Sequence, residues 1–295
     1  MKLRELCLPY LAVLALACAP AWAKLQEEQF DLPVAVQDGY GKRVEQSIRV
    51  TVFSDDTNPQ PAPVLVLNHG RAAEAQDRAA MGRARYTDVS TFLVGRGFIV
   101  AVPTRVGYGA SGGEDVEDTG PCTRKNYAPG FAAAARQTQA VLDAVRRRPD
   151  ADAGRGIVMG QSFGGGTAVA VAALNLPGVQ GAINFAGGNG GNPKTQPQRP
   201  CAPQLLERIF RGYGEVARTP TLWIYTENDM YFGPTYPKQW FGAFSAGGAP
   251  AQFVQFPPHG DDGHALFTRF PQVWQPRVTE FLDSLGFPAP PRRSP

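Results

Sequence analysis

The sequence predicts an α/β fold: three layers, with a mostly parallel eight-stranded sheet, helices on both faces and a small loop-rich cap. Three observations carry this. From residue 64 onward, short apolar runs alternate with stretches of helical pattern, as in a parallel sheet joined by crossover helices. The runs are apolar without alternation, as in Val64-Leu65-Val66-Leu67, which is what a strand buried on both faces requires. Finally, Gly160-Gln161-Ser162-Phe163-Gly164 lies between one such run, Gly156-Ile157-Val158-Met159, and a small-residue helical stretch, Gly164 to Ala173.

In chain order, residues 1–23 read as a secretory leader. Lys2 and Arg4 precede the apolar stretch Leu11 to Ala17, and Ala21-Trp22-Ala23 is a small-x-small cleavage site, so the mature chain should begin at Lys24. The stretch is too short for a stable membrane span. Lipidation at Cys18 is the weaker reading, because Ala15 stands where a large aliphatic residue is usual. Phe30 to Val36 and Val44 to Phe53 read as antiparallel strands joined by a turn at Asp38-Gly39-Tyr40-Gly41, the second with one wet face. Pro59, Pro61 and Pro63 then argue against regular structure.

Val64 to Leu67 is the third strand, ending in Asn68-His69-Gly70-Arg71. Residues 78–95 read as one helix and Phe98 to Val102 as the fourth strand. A long connection, 103–130, is rich in glycine and acid. Phe131 to Arg148 is a helix stopped by Pro149. After the strand and helix around Ser162 come a strand at Val179 to Phe185 and the glycine-rich segment Gly187 to Gly191. Residues 187–219 are a candidate small cap, with a short helix near Gln204 to Phe210. Strands at Pro220 to Thr226 and Gln252 to Phe256 flank a helix at Tyr236 to Ala246. A helix at Phe270 to Leu285 closes the domain, expected to span 24–287. The proline-rich tail, 288–295, is expected to be disordered.

Removing 23 residues from 295 leaves 272, ordinary for one large α/β domain. The net charge of +3 is small, and no basic stripe suggests nucleic acid. Two of the four cysteines, Cys122 and Cys201, remain after the leader. An exported chain meets an oxidising compartment, so a single disulfide between them is expected, pinning 103–130 to 187–219.

Gly160-Gln161-Ser162-Phe163-Gly164 is a G-x-S-x-G sequence in the strand–turn–helix context of a nucleophile elbow. Serine needs a base. The imidazoles available are His69, His259 and His264. His264 follows the last strand in a glycine-flanked loop, and Asp229 follows the strand before it. The order Ser162, Asp229, His264, each at the C-terminal end of an expected strand, is that of a Ser…Asp…His triad. His259 is the backup base, and Asp261 or Asp262 the alternative acid. His69 reads as structural. Asp261-Asp262 lacks the spacing of a metal loop, and Gly187 to Gly191 lacks that of a phosphate loop, so neither metal nor cofactor is expected. Tyr108, Tyr127, Tyr231, Phe232 and Trp240 lie near strand ends, some as candidates to line an apolar acyl pocket and the rest as packing.

These pieces, with Pro103 to Gly109 after the fourth strand and Glu227-Asn228-Asp229, resemble an α/β-hydrolase over roughly residues 40–285. The closest resemblance is to the dienelactone-hydrolase-like branch and its prolyl-oligopeptidase relatives. Cytosolic dienelactone hydrolases carry cysteine where Ser162 stands. The resemblance implies an oxyanion hole formed by the backbone N–H groups of Phe163 and Arg71. The resulting expectation is an exported, periplasmic or secreted serine hydrolase cleaving a small-molecule carboxylic ester through an acyl-enzyme. A peptidase or amidase, an acyltransferase and a non-catalytic binding protein are the alternatives.

Overall fold

The computed structural model describes residues 25–290. The leader expected over 1–23, Cys18 included, and the tail from residue 291 onward lie outside the described residues. Eight strands form one sheet: β1 Gln26–Gln37, β2 Arg43–Ser54, β3 Ala62–Asn68, β4 Ile99–Thr104, β5 Ala151–Gln161, β6 Val179–Phe185, β7 Thr221–Thr226 and β8 Ala251–Phe256. Their order is β1-β2-β4-β3-β5-β6-β7-β8. β1 pairs with β2, and β2 with β4, antiparallel; every pairing from β4 through β8 is parallel. The helices are α1 Ala75–Ala80, α2 Thr87–Val94, α3 Ala128–Val145, α4 Phe163–Ala173, α5 Pro203–Val216, α6 Tyr236–Ala246, α7 Leu266–Arg269 and α8 Pro271–Ser284.

The continuous apolar runs are explained by two cores, one on each face. Val64 and Val66 of β3 join a core built with α3, α4, α5 and α6, while Leu65 and Leu67 join a second core built with α2, α7 and α8. β7 divides in the same way, with Trp223 and Tyr225 in the first core and Leu222 and Ile224 in the second. Each such fully buried side chain is worth roughly 1.5–3 kcal/mol over an exposed one, so the two-sided burial holds the central strands in place. α4 is buried on every side from Phe163 to Ala172, and its run of glycine and alanine is what lets sheet, α3 and α5 close around it.

Several element boundaries differ from the sequence expectation. The single helix expected over 78–95 is two, α1 and α2. Gly82 takes φ +69°, and its carbonyl accepts the Ala110 N–H at 2.9 Å, which turns the chain out of the helix. β3 begins at Ala62, so Pro63 lies inside a strand. A register bulge directly after it absorbs the missing donor. Within the candidate cap, 187–202 runs as loop along the rim. Residues 203–216 instead form a helix whose Leu206 and Phe210 sit in the first core.

All parallel strands point their C-terminal ends to one edge. From β3 the chain moves outward to β4 on one side and returns to β5 on the other. The loops after β3 and β5 therefore meet at the switch point, where open α/β sheets place their sites.

Candidate active site

Ser162 occupies this switch point with φ +58° and ψ −123°, a conformation L residues avoid. Such strain costs of order 1–3 kcal/mol and persists only where surroundings over-determine it. Here they do. The Ser162 N–H donates to Phe185 O at 2.8 Å, and its carbonyl accepts from Gly165, Gly166 and Gly188 N–H groups at 2.9–3.2 Å. The flanking glycines are steric necessities. A Cβ on Gly160 would lie 2.1 Å from the Gly164 carbonyl oxygen, and one on Gly164 would lie 2.3 Å from that of Asn68.

His264 and Asp229 meet beyond β8 and β7. The imidazole Nδ1 donates to Asp229 Oδ2 at 2.9 Å. Asp229 is fully buried, and its other oxygen accepts from the Tyr231 and Phe232 N–H groups at 2.8 and 3.0 Å. Burial pushes the His264 pKa down, but the adjacent Asp229 charge and hydrogen bond, with a contribution from Asp262, outweigh it and leave the value raised. The Tyr231 ring stacks on the imidazole, centroids 4.1 Å apart at 26°, and Phe232 meets it edge-on at 5.4 Å. Ser162 and His264 line one cavity of about 240 Å³.

The remaining candidates fall elsewhere. Asp262 Oδ1 accepts the backbone N–H groups of His264 and Met230, so it caps the His264 loop and leaves the imidazole to Asp229. His259 Nδ1 bonds to Pro257 O, and its ring packs against Phe256 and Phe270. His69 is buried under the β3 loop. Its Nε2 accepts the Arg105 N–H, and its Nδ1 faces Gly70 O at 2.6 Å, which assigns the proton to Nδ1. Burial first, then the charge of Arg105, depress its pKa well below the ordinary range, so it stays neutral.

The His69-Gly70-Arg71 loop abuts the serine: a Cβ on Gly70 would stand 3.2 Å from Ser162 Cβ. Neither the Arg71 nor the Phe163 N–H donates to a protein acceptor among the described residues. Phe163 is the first residue of α4, so its N–H also lies at the positive end of that helix. Phe163 follows Ser162 in the chain, and Arg71 lines both cavities that Ser162 lines.

Beneath this loop lies a charged framework that the sequence reading did not find. Arg105 and Glu117 form a fully buried ion pair, Arg105 also donates to His69 O at 2.8 Å, and Tyr108 donates to Glu117 at 2.6 Å. The Arg71 side chain is bidentate to Asp115 at 2.6–2.7 Å, and Arg78 shares the same carboxylate at 2.8 Å. A second missed group links the elbow to the His264 loop. Gln161 donates to His264 O at 3.1 Å and accepts from the Tyr86 hydroxyl at 3.2 Å. The signal for Gln161 was its place inside the elbow pentapeptide; the ion pairs join residues too far apart in sequence to leave one.

A larger cavity, about 310 Å³, opens on the other side of Ser162 and Phe163. Its wall carries Arg71, Arg78, Asp115, Asp118 and Lys125, together with the Cys122–Cys201 disulfide, whose Cα atoms are 5.2 Å apart. This cavity is polar rather than apolar. Tyr231 and Phe232 line it, whereas Tyr108, Tyr127 and Trp240 are buried in packing. Among the described residues no cluster of three or more metal-ligating side chains occurs, and no helix is long and apolar enough to cross a membrane.

Residues 59–230 match the family described as serine aminopeptidase, S33. No curated protein matches the chain. Among solved structures, a Klebsiella pneumoniae protein described as a dienelactone hydrolase is similar at TM-score 0.55 and 14% identity, over 88% of this chain and 99% of that one. The acetyl xylan esterase of Paenibacillus sp. R4 gives 0.56 and 17%, over 88% and 89%. The acylaminoacyl peptidase of Pyrococcus horikoshii gives 0.61 and 14%, over 92% of this chain but 43% of the peptidase. At these identities the likeness is one of fold.

Proposed function

The chain belongs to the serine aminopeptidase S33 family of α/β-hydrolases, and from that premise we propose that it is an exported serine hydrolase acting on a carboxylic ester. The observation that carries the reading is the buried Asp229–His264 pair bordering one cavity with a strained, glycine-flanked Ser162. Ser162 Oγ attacks the carbonyl carbon while its proton passes to His264 Nε2. Asp229 holds the imidazole with its proton on Nδ1 and stabilises the imidazolium that forms. The carbonyl electrons move onto oxygen, which the Phe163 and Arg71 N–H groups receive. Collapse expels the alcohol with the proton from His264. Water then repeats the sequence on the acyl-enzyme and releases the acid and free serine.

The acetyl xylan esterase and the protein described as a dienelactone hydrolase, whose whole lengths this chain nearly spans, support an ester as the first reading. The family description and the peptidase keep a peptide bond as the second reading. Export rests on the leader expected over 1–23 and is supported by the disulfide.

A fluorophosphonate probe should label Ser162 in the native protein and fail to label Ser162→Ala or unfolded protein. A panel of p-nitrophenyl esters and peptide anilides should show turnover of the esters. Labelling at another residue, or anilides cleaved faster than esters, would refute the respective part of the reading.

A further inference from the structure

Ser162, Arg71 and Tyr231 line both cavities, so the serine stands at their junction. The two halves of an ester must separate there. The leaving oxygen has to face the imidazole that protonates it, and His264 lines the smaller cavity and not the larger. The alcohol half therefore takes the smaller cavity, beside Met81 and Tyr86, and the acyl half takes the larger.

The wall of the larger cavity carries a surplus of positive charge. Arg71 and Arg78 share the single carboxylate of Asp115, at 2.6 and 2.8 Å. Lys125 donates to Thr119 Oγ1 at 3.2 Å and, among the described residues, has no carboxylate in ion-pair contact. Three cations thus face two carboxylates, one of which, Asp118, is exposed to solvent. Burial lowers the Lys125 pKa; the Asp118 charge opposes that, and the Arg71 charge adds to it.

We propose that the enzyme selects esters whose acyl chain ends in an anionic group, a carboxylate, with Lys125 as the residue that meets it. The inference rests on the serine-hydrolase reading above and sharpens it. A cationic wall repels the free α-ammonium that an aminopeptidase substrate presents, so the charge argues against aminoacyl substrates. A desolvated anion would be attracted more strongly here than at the open surface, where water screens each charge.

Three acyl chains of similar length separate the possibilities: mono-p-nitrophenyl adipate, p-nitrophenyl hexanoate and p-nitrophenyl 6-aminohexanoate, compared by kcat/KM at pH 7 and low ionic strength. The expected order is anion over neutral over cation, with the adipate ahead of the hexanoate by roughly fivefold or more. Added salt should compress the ratio. Lys125→Gln should bring it toward one, and Lys125→Glu should invert the order. Ratios are taken within each variant, so a partial loss of folded protein cancels. An adipate no better than the hexanoate in the wild type, or a preference that survives Lys125→Glu, overturns the proposal. If none of the three esters turns over and the fluorophosphonate leaves Ser162 unlabelled, the hydrolase reading falls and this inference with it.

Discussion

His264 is held by five contacts of different kinds: the Asp229 carboxylate on Nδ1, the rings of Tyr231 and Phe232, Asp262 on its backbone N–H, and Gln161 on its carbonyl. The first of these sets its titration. Its pKa is raised because the Asp229 charge outweighs the cost of burial, and a base works only in the neutral form. Ester turnover should therefore rise with pH through a transition lying above the ordinary histidine value of about 6.5. Asp229→Asn removes the charge that raises it and accepts the wrong tautomer. That variant should lose on the order of 10⁴ in kcat and move the transition to lower pH. A pH–rate profile of kcat/KM from pH 5 to 9 for both proteins checks it. A flat wild-type profile would remove histidine from the role of base.

At the scale of elements, β5 and α4 are joined by a turn whose geometry is dictated by the absence of side chains. Gly164 packs against the backbone of β3, with the space for its Cβ occupied by the Asn68 carbonyl. Neither partner is a flexible side chain, so Gly164→Ala must push the helix from the sheet. Overpacking of this kind typically costs about 1–3 kcal/mol, and more where only backbone can yield. Chemical denaturation should show a lower midpoint with an unchanged slope, and esterase activity should fall further than stability, because Ser162 and the Phe163 N–H move with the helix. Gly212→Ala, in α5 with open space around the position, is the matched control and should be close to neutral or stabilising.

At the scale of the whole molecule, the disulfide closes a loop of sequence separation 79 between the connection after β4 and the loop after β6. The chain-entropy model gives about 4.5 kcal/mol for such a loop. Neither cysteine belongs to the two cores, which hold the sheet without it. Reduction and alkylation should lower the thermal midpoint while leaving far-UV circular dichroism native-like. Because both cysteines line the larger cavity, reduction should alter discrimination among acyl groups more than among alcohols. Unfolding on reduction would show that the rim, and not the cores, limits stability.

What the sequence alone determined is what local pattern encodes. Continuous apolar runs meant strands covered on both faces, since each run divides its residues between two cores. The glycines around Ser162 marked a turn too tight for side chains, and the order Ser162, Asp229, His264 marked the strand ends. Tertiary structure alone decided the rest. It selected Asp229 over Asp262 as the imidazole's partner, because Asp262 lies two residues from His264 and is spent on its backbone N–H. It split the 78–95 helix through a carbonyl that pairs with Ala110, 28 residues on from Gly82. It also put charge into the wall of the cavity beside Ser162, because Arg71, Asp115 and Lys125 come together only when β3 and the 103–130 connection converge over the sheet edge. Hydrophobic period and glycine placement act between near neighbours and can be read along the chain. Charge pairing acts through space and has no period to read.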